Sequence, residues 1–217
     1  MRIGGAVLTA ALAVFLTPVT GKALSASAVA EGLGEKYAAL DDLSAVFKQE
    51  SKIVSLGRSR KKEGTIRFKK PGRMRWDYTA PDPQLIISDG GKLWYFRPER
   101  NQVVVQDLSR AFANQTPLFF LFGEGDLSAE FTWGDGDLVP DGKGNFVLEL
   151  KPRVETPDLV GLTLEVRKAD FSIFATVLRD AFGNVTRLEF SGEKENGGLA
   201  DDLFTFVPPA DAEVIRP

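Results

Sequence analysis

The 217-residue sequence contains no histidine and no cysteine. Without histidine, the chain lacks the most common general base and the most common metal ligand. Without cysteine, it has no thiol nucleophile, no thiolate metal site and no disulfide bond. These absences disfavour most hydrolase and metalloenzyme functions, although serine–lysine and paired-carboxylate chemistry stay open. We expect no cofactor and no metal.

Long apolar runs are also scarce, and the one near the N-terminus is short. Arg2 precedes the run AVLTAALAVFL at residues 6–16, and the helix-breaking residues Pro18 and Gly21 follow it. A membrane-spanning helix needs about 20 apolar residues. The pattern therefore predicts a secretory signal peptide rather than a membrane anchor.

Small residues after this run mark the expected cleavage region. Ala23, Ala26 and Ala28 each offer a site. We predict a signal peptide over residues 1–28, with cleavage between residues 22 and 29, and a single domain over residues 29–217. No lipobox cysteine is present, so the mature protein is not expected to be a lipoprotein itself.

The charge balance is mildly acidic, with a formal net charge of −3. Removal of the signal peptide takes away Arg2 and Lys22 but no acidic residue, so the mature chain is more acidic still. This balance argues against nucleic-acid binding. A dense basic run between Arg58 and Arg75 has two interpretations. It could dock an acidic partner or anionic lipid headgroups, or it could be a solvated face of a sheet.

Alternation of apolar and polar residues predicts a mainly β protein. It is clear in TIRFKK (65–70), RMRWDYT (73–79), NFVLELK (145–151) and VTRLEF (185–190), and turn signals such as SDGGK separate the runs. Strands with one dry face are typical of antiparallel sheets. We expect about ten strands in a single meander, which must curl or close to bury its dry face.

Two segments are predicted to be helical. Residues 26–40 place Val29, Leu33 and Tyr37 at helical spacing. The second segment follows Thr116, a plausible N-cap, and Pro117, which suits a first helical turn. It continues through the apolar run LFFLF at residues 118–122, and a helix that is apolar on every side requires burial.

An aromatic-rich stripe is the most distinctive feature of the predicted sheet. It consists of Phe68, Met74, Trp76, Tyr78, Trp94 and Phe96. Periodicity alone leaves two interpretations, an ordinary core and the wall of a ligand cavity. The acidic pairs at residues 41–42, 135/137 and 201–202 could do acid–base chemistry or bind calcium, but they stand where aspartate commonly caps helices and forms turns.

The stretch GTIRFKKPGRMRWDYTAPDPQLIISDGGKLWYFRPERNQV, at residues 64–103, resembles the periplasmic outer-membrane lipoprotein carrier protein family, LolA. The matching pattern is a basic residue before proline, an aromatic residue shortly after it, a Pro-Asp step and then SDG-K-LW-Y. NQTPLFFLFG resembles the lid helix of this family, and DDLFTFVPPADAEV resembles its C-terminal strand. The resemblance extends over essentially the whole mature chain.

The resemblance implies an unclosed antiparallel β-barrel with helical lid segments and a cavity for the acyl chains of lipoproteins. Such a carrier is periplasmic, is not an enzyme and acts as a monomer. It receives cargo from an ATP-driven inner-membrane transporter and passes it to an outer-membrane lipoprotein receptor. Two alternatives stay open: a related half-barrel that carries another lipid or senses envelope stress, and a serine–lysine hydrolase.

The resemblance also assigns candidate site residues. The acyl-chain cavity would be lined by Phe68, Met74, Trp76, Tyr78, Trp94, Phe96, Phe119 and Phe120. The lid and its latch would comprise Lys70, Pro71, Tyr37, Leu118, Leu121 and Phe122. Well-known family members have arginine where this chain has Lys70, and lysine lacks the planar fork of arginine. We expect the Lys70 ammonium to donate to carbonyls at or near the lid helix, where a cation also complements a helix C-terminus.

Overall fold

A computed structural model describes residues 23–109 and 127–217. The helices in these ranges are α1 (Ala26–Ala38) and α2 (Leu127–Glu130), with short 3-10 helices at Val54–Leu56, Pro98–Arg100 and Asp201–Phe204. The strands are β1 (Leu24–Ser25), β2 (Asp42–Ile53), β3 (Arg58–Lys69), β4 (Arg73–Ala80), β5 (Gln84–Asp89), β6 (Lys92–Arg97), β7 (Gln102–Asp107), β8 (Phe131–Thr132), β9 (Asp137–Leu138), β10 (Asn145–Pro152), β11 (Gly161–Arg167), β12 (Ile173–Arg179), β13 (Val185–Glu195) and β14 (Glu213–Ile215).

Twelve of these strands form one sheet in the order β14-β7-β6-β5-β4-β3-β2-β13-β12-β11-β10-β8. Neighbouring strands are antiparallel except β14 and β7, which are parallel. The edge strands β14 and β8 do not pair with each other within the described residues, so the curved sheet is unclosed. The predicted mainly β, unclosed half-barrel is confirmed.

The prediction of a single meander is wrong. The strands form two meanders, β2 to β7 and β10 to β13, and β2 joins them by pairing with β13. This pairing runs from Lys52 opposite Val185 to Leu43 opposite Glu195. Turn signals report only hairpins between consecutive strands, and a pairing between strands far apart in the chain leaves no comparable local signal.

Helix α1 forms where the apolar spacing predicts it and ends at Ala38. Ser25 caps its N-terminus by accepting a hydrogen bond from the Ala28 backbone N–H at 3.1 Å. The helix buries Val29, Leu33 and Tyr37 against one face of the sheet. We call that face, which carries α1 and the main core, the inner face, and the opposite one the outer face.

The residues just before α1 belong to the fold. Leu24 and Ser25 pair with Leu138 and Asp137 in a two-stranded sheet, and the Ala26 N–H donates to the Gly136 carbonyl at 2.8 Å. Residues 24–28 are therefore part of the folded structure, although the predicted domain begins only at residue 29. Residues 1–22 lie outside the described part of the chain.

The C-terminal segment after β13 crosses the outer face of the sheet. The buried Asp42 carboxylate anchors its start by accepting hydrogen bonds from the backbone N–H groups of Gly197, Gly198 and Leu199 at 2.8–3.0 Å. Further along, Phe204 is buried, and the segment ends by adding β14 to the sheet. None of the described helices is long and apolar enough to cross a membrane.

Candidate functional site

The inner face of β3 and β4 carries four of the predicted cavity residues. Phe68 stands opposite Met74, and Trp76 and Tyr78 follow along β4 at the two-residue interval that keeps side chains on one face. Phe68, Met74 and Trp76 are buried in the main core, and Tyr78 is half-buried beside them. These four residues share the predicted stripe.

A glycine lets the aromatic residues of this face pack closely. Phe47 lies edge-on to both Trp76 and Tyr78, with ring centroids 5.1 and 4.9 Å away. Gly64 stands opposite Phe47 on β2 and, on its other side, opposite Tyr78 next to a bulge in β4. A Cβ atom on Gly64 would lie 1.9 Å from the Asp77 carbonyl oxygen and 2.9 Å from the Phe47 ring. Only glycine therefore fits at this position.

The assignment of Trp94 and Phe96 to the same stripe is wrong. Ile87 and Leu85, which stand opposite them on β5, are on the outer face, and so are Trp94 and Phe96. Their rings pack against Phe206 of the C-terminal segment, at centroid distances of 6.3 and 5.6 Å. They stabilise a second apolar cluster and cannot line a cavity on the inner face.

The predicted cavity residues left out several apolar residues of the inner face, and on β5 to β7 these include Ile86, Leu93 and Val104. The register aligns Ile86 with Trp76, and it aligns Leu93 and Val104 with the inner-face rows of β5 and β6. Each is half-buried. In β6 the run LWYF is apolar on both faces because the C-terminal segment covers the outer one, so alternation could not distinguish the two faces.

The inner face becomes polar toward the hairpin that joins β2 to β3. There the Tyr78 hydroxyl donates to Gln49 Oε1 at 3.0 Å, and the Tyr95 hydroxyl donates to Gln84 Oε1 at 2.5 Å. Burial raises the pKa of Tyr78 to about 12, so the hydroxyl keeps its proton at physiological pH. Along its strands, the inner face is therefore apolar in one part and polar in the part near this hairpin.

Lys70 holds the end of α1, next to Pro71 in the turn between β3 and β4. Its ammonium donates to the Tyr37 carbonyl at 3.1 Å and to the Ala38 carbonyl at 2.7 Å. A lysine that donates to the last carbonyls of a helix also complements the helix dipole. The helix that Lys70 contacts is α1, whereas the expected lid helix after Thr116 lies outside the described residues. The role of Lys70 as a latch stays a prediction.

Several predicted lid and cavity residues lie outside the described part of the chain. These are Leu118, Phe119, Phe120, Leu121 and Phe122.

Much of the basic run has partners on the outer face. Arg67 and Arg75 both bind Asp77, and Lys69 and Arg73 both bind Asp201. Hydrogen bonding from Lys69, with Arg73 nearby, lowers the pKa of the Asp201 carboxyl. Lys69 and Arg73 thus tie the C-terminal segment to the sheet, so this part of the basic run is not simply a solvated face.

The acidic pairs have structural partners as well. Asp42 anchors the C-terminal segment, and Asp201 forms the ion pairs described above. Within residues 23–109 and 127–217, no three acidic side chains cluster closely enough to hold a metal ion.

An unclosed antiparallel sheet, with a helix on its inner face and an amphipathic surface beside that helix, defines a half-barrel protein. The family model described as "Outer membrane lipoprotein carrier protein LolA" matches residues 38–207. The chain belongs to this family.

Curated relatives agree with this assignment. The outer-membrane lipoprotein carrier protein of Cupriavidus taiwanensis is 35% identical over 153 residues, which cover 70% of each chain. The protein of the same name from Dechloromonas aromatica is 31% identical over 173 residues, which cover 80% of each chain. Among solved structures, an uncharacterized conserved protein from Thermus thermophilus aligns with a TM-score of 0.56 at 14% identity, covering 88% of this chain and 99% of that one. This last similarity concerns the fold alone.

Proposed function

We propose that this protein is a periplasmic carrier that binds the acyl chains of lipoproteins released from the inner membrane and delivers them to an outer-membrane receptor. The observation that carries the proposal is the apolar inner face of β3 to β7. Half-buried Ile86, Leu93 and Val104 adjoin the buried Phe68, Met74 and Trp76 there. The family membership of the chain supports the choice of cargo.

The thermodynamics of acyl transfer indicate which partners such a carrier needs. An acyl chain that leaves water gains about 0.8 kcal/mol per buried CH₂ group, but one that leaves a membrane gains nothing. Loading therefore requires an energy source at the donor membrane, as an ATP-driven lipoprotein-releasing transporter would supply. Unloading requires a receptor that binds the acyl chains more tightly, which an outer-membrane lipoprotein receptor would provide.

The carrier role needs only an openable binding face. Exchange of a ligand between binding sites breaks no covalent bond, so no catalytic residue or cofactor is required. A signal peptide over the N-terminal residues would direct the protein to the periplasm. There it would act as a monomer, with the inner face exposed to each partner in turn.

Identification of the bound cargo tests the proposal. The mature protein is purified from the periplasm of its own organism, and the bound molecules are identified by mass spectrometry. Triacylated lipoproteins are the expected cargo. Recovery of free lipid without any lipoprotein would favour the alternative of a lipid carrier or envelope-stress sensor. Turnover of acyl esters by the purified protein would instead favour an enzyme.

A further inference from the structure

The polar end of the inner face carries cations without ionic partners. Lys62 and Arg97 are half-buried on this face, and Arg60 precedes Lys62 by two residues and is exposed. None of the three forms an ion pair with any residue that the structure describes. Arg97 donates from Nη2 to the neutral Gln102 side chain, while its buried Nε atom has no hydrogen-bond partner. Such cations are available to an anionic ligand.

Two tyrosines connect these cations into one row across the sheet. The Lys62 ammonium lies 5.4 Å from the centroid of the Tyr78 ring, and the Arg97 guanidinium lies 5.4 Å from that of Tyr95. Gln84 stands opposite Tyr78 and accepts the hydroxyl hydrogen bond of Tyr95. Lys62 and Arg97 thus stand at the two ends of a continuous polar row, which we call the cationic row.

Among the described residues, the strands of this part of the face place no acidic side chain on it. The inner-face positions of β3 to β7 include no aspartate or glutamate. Beyond Arg97 the row continues through Gln102 to Glu213 on the edge strand β14, and the Glu213 carboxylate already accepts a hydrogen bond from Gln102 at 2.8 Å. The cationic row therefore presents an uncompensated positive charge to a ligand on the inner face.

The cationic row directly adjoins the apolar surface. Trp76 precedes Tyr78 on the same strand face, and the two rings stack at 6.3 Å between centroids. Residues two apart on a strand are separated by roughly 7 Å. A ligand whose anionic group lies a few bonds from its acyl chains could therefore contact both surfaces. A diacylglycerol phosphate has this arrangement, whereas the acidic side chains of a peptide stand at no fixed distance from acyl chains.

We propose that the inner face also binds an anionic phospholipid, with its acyl chains against Trp76 and Ile86 and its phosphate between Lys62 and Arg97. Arginine supplies forked donors that match phosphate oxygens, and lysine supplies a compact point charge. The proposal rests on the proposed acyl-binding function and extends it to the headgroup.

The test compares two short-chain lipids that differ only in headgroup, dihexanoyl phosphatidylglycerol and dihexanoyl phosphatidylcholine. Binding to the mature protein is followed by tryptophan fluorescence below the micelle concentration. We expect phosphatidylglycerol to bind several-fold more tightly, with a preference that falls as salt rises. The double variant Lys62→Gln/Arg97→Gln should lose roughly tenfold in phosphatidylglycerol affinity, because two charge contacts are removed, and should bind phosphatidylcholine as before.

Lys61→Gln is the matched control, because Lys61 is the neighbour of Lys62 but stands opposite Glu50 on the outer face. It should retain the phosphatidylglycerol preference. If the double variant fails to fold by circular dichroism, Lys62→Gln alone should show a smaller loss of the same kind.

Several outcomes would overturn the proposal: equal affinity for the two lipids, an undiminished preference in the Lys62 variants, or an equal loss in Lys61→Gln. Inorganic phosphate or a soluble acidic peptide that binds as tightly as phosphatidylglycerol would also overturn it, since either would show an anion site independent of acyl chains.

A neutral acyl fluorophore distinguishes a failure of the proposed acyl binding from a failure of the proposed headgroup site. If it fails to bind the wild-type protein, the acyl-binding function fails. If it binds but no headgroup preference appears, only the cationic row loses its assigned role.

Discussion

The side-chain ammonium of Lys70 lies 2.7 Å from the carbonyl oxygen of Ala38, at the C-terminal end of α1. The same ammonium also reaches the Tyr37 carbonyl. Meanwhile the Tyr37 hydroxyl accepts a hydrogen bond from the Ile173 N–H at 3.2 Å. One turn of helix is thus held from two sides, by the turn after β3 and by β12.

Substitution of Lys70 should change how readily α1 moves relative to the sheet. Lys70→Leu removes both hydrogen bonds and should cost about 1 kcal/mol, because the ammonium is only partly shielded from water. A cost of this size shifts an open–closed equilibrium about fivefold without threatening the fold. Stopped-flow uptake of an acyl fluorophore should therefore be faster in Lys70→Leu and slower in Lys70→Arg, whose forked donors hold the carbonyls more firmly. Identical uptake rates in all three proteins would mean that Lys70 is not a latch.

Substitution of Gly64 should destabilise the fold strongly. The added Cβ atom of Gly64→Ala would lie 1.9 Å from a backbone oxygen of β4, so β3 and β4 must separate, and the Phe47 ring at 2.9 Å must shift as well. Overpacking of this kind costs roughly 1–3 kcal/mol. Gly134→Ala is the control, because nothing lies within 4 Å of the added Cβ atom. Urea denaturation should show a lower midpoint for Gly64→Ala alone, and equal midpoints for the two variants would contradict the tight packing at Gly64.

The mature N-terminus should lie at or before Leu24. Cleavage after Ala23 would retain the pairing of β1 and the cap that Ser25 provides to α1, whereas cleavage after Ala28 would remove both. Loss of the cap alone typically costs about 1 kcal/mol. The intact mass of protein isolated from the periplasm gives the cleavage site directly. A mature chain that starts at Val29 would show that the fold does not need β1.

Alkaline pH should weaken the fold through buried tyrosine. An unfolded tyrosine ionises near pH 10, whereas burial raises the pKa of Tyr78 to about 12 and also raises that of Tyr37. Above about pH 10 the unfolded chain releases protons that the folded chain keeps, so the free energy of unfolding falls as pH rises.

Ultraviolet titration of wild type and Tyr78→Phe isolates the contribution of Tyr78. Their difference should show tyrosinate absorbance only well above pH 10 while the protein stays folded. A difference signal centred at pH 10 would mean that the Tyr78 ring is solvated.

The sequence predicts those parts of the fold that depend on local pattern. The position of α1 follows from the spacing of Val29, Leu33 and Tyr37, although the helix ends two residues before the predicted end at residue 40. The inner-face position of Trp76 follows from clean alternation in β4. The placement of Trp94 and Phe96 required knowledge of the C-terminal segment, because a strand covered on both faces shows no alternation. The pairing of β2 with β13 and the bonds to Asp42 likewise depend on contacts between distant parts of the chain, which no single stretch of sequence reveals.

Site-specific photo-crosslinking in the periplasm tests the central claim most directly. A photoreactive amino acid is placed at Ile86, on the inner face, and in a separate variant at Val46, which is 44% exposed and stands opposite Thr65 on the outer face. If the inner face binds the acyl chains of lipoproteins, irradiation should yield lipoprotein adducts from the Ile86 variant and few or none from the Val46 variant. Adducts in equal yield from both positions, or no lipoprotein adduct at Ile86, would contradict the proposed binding face.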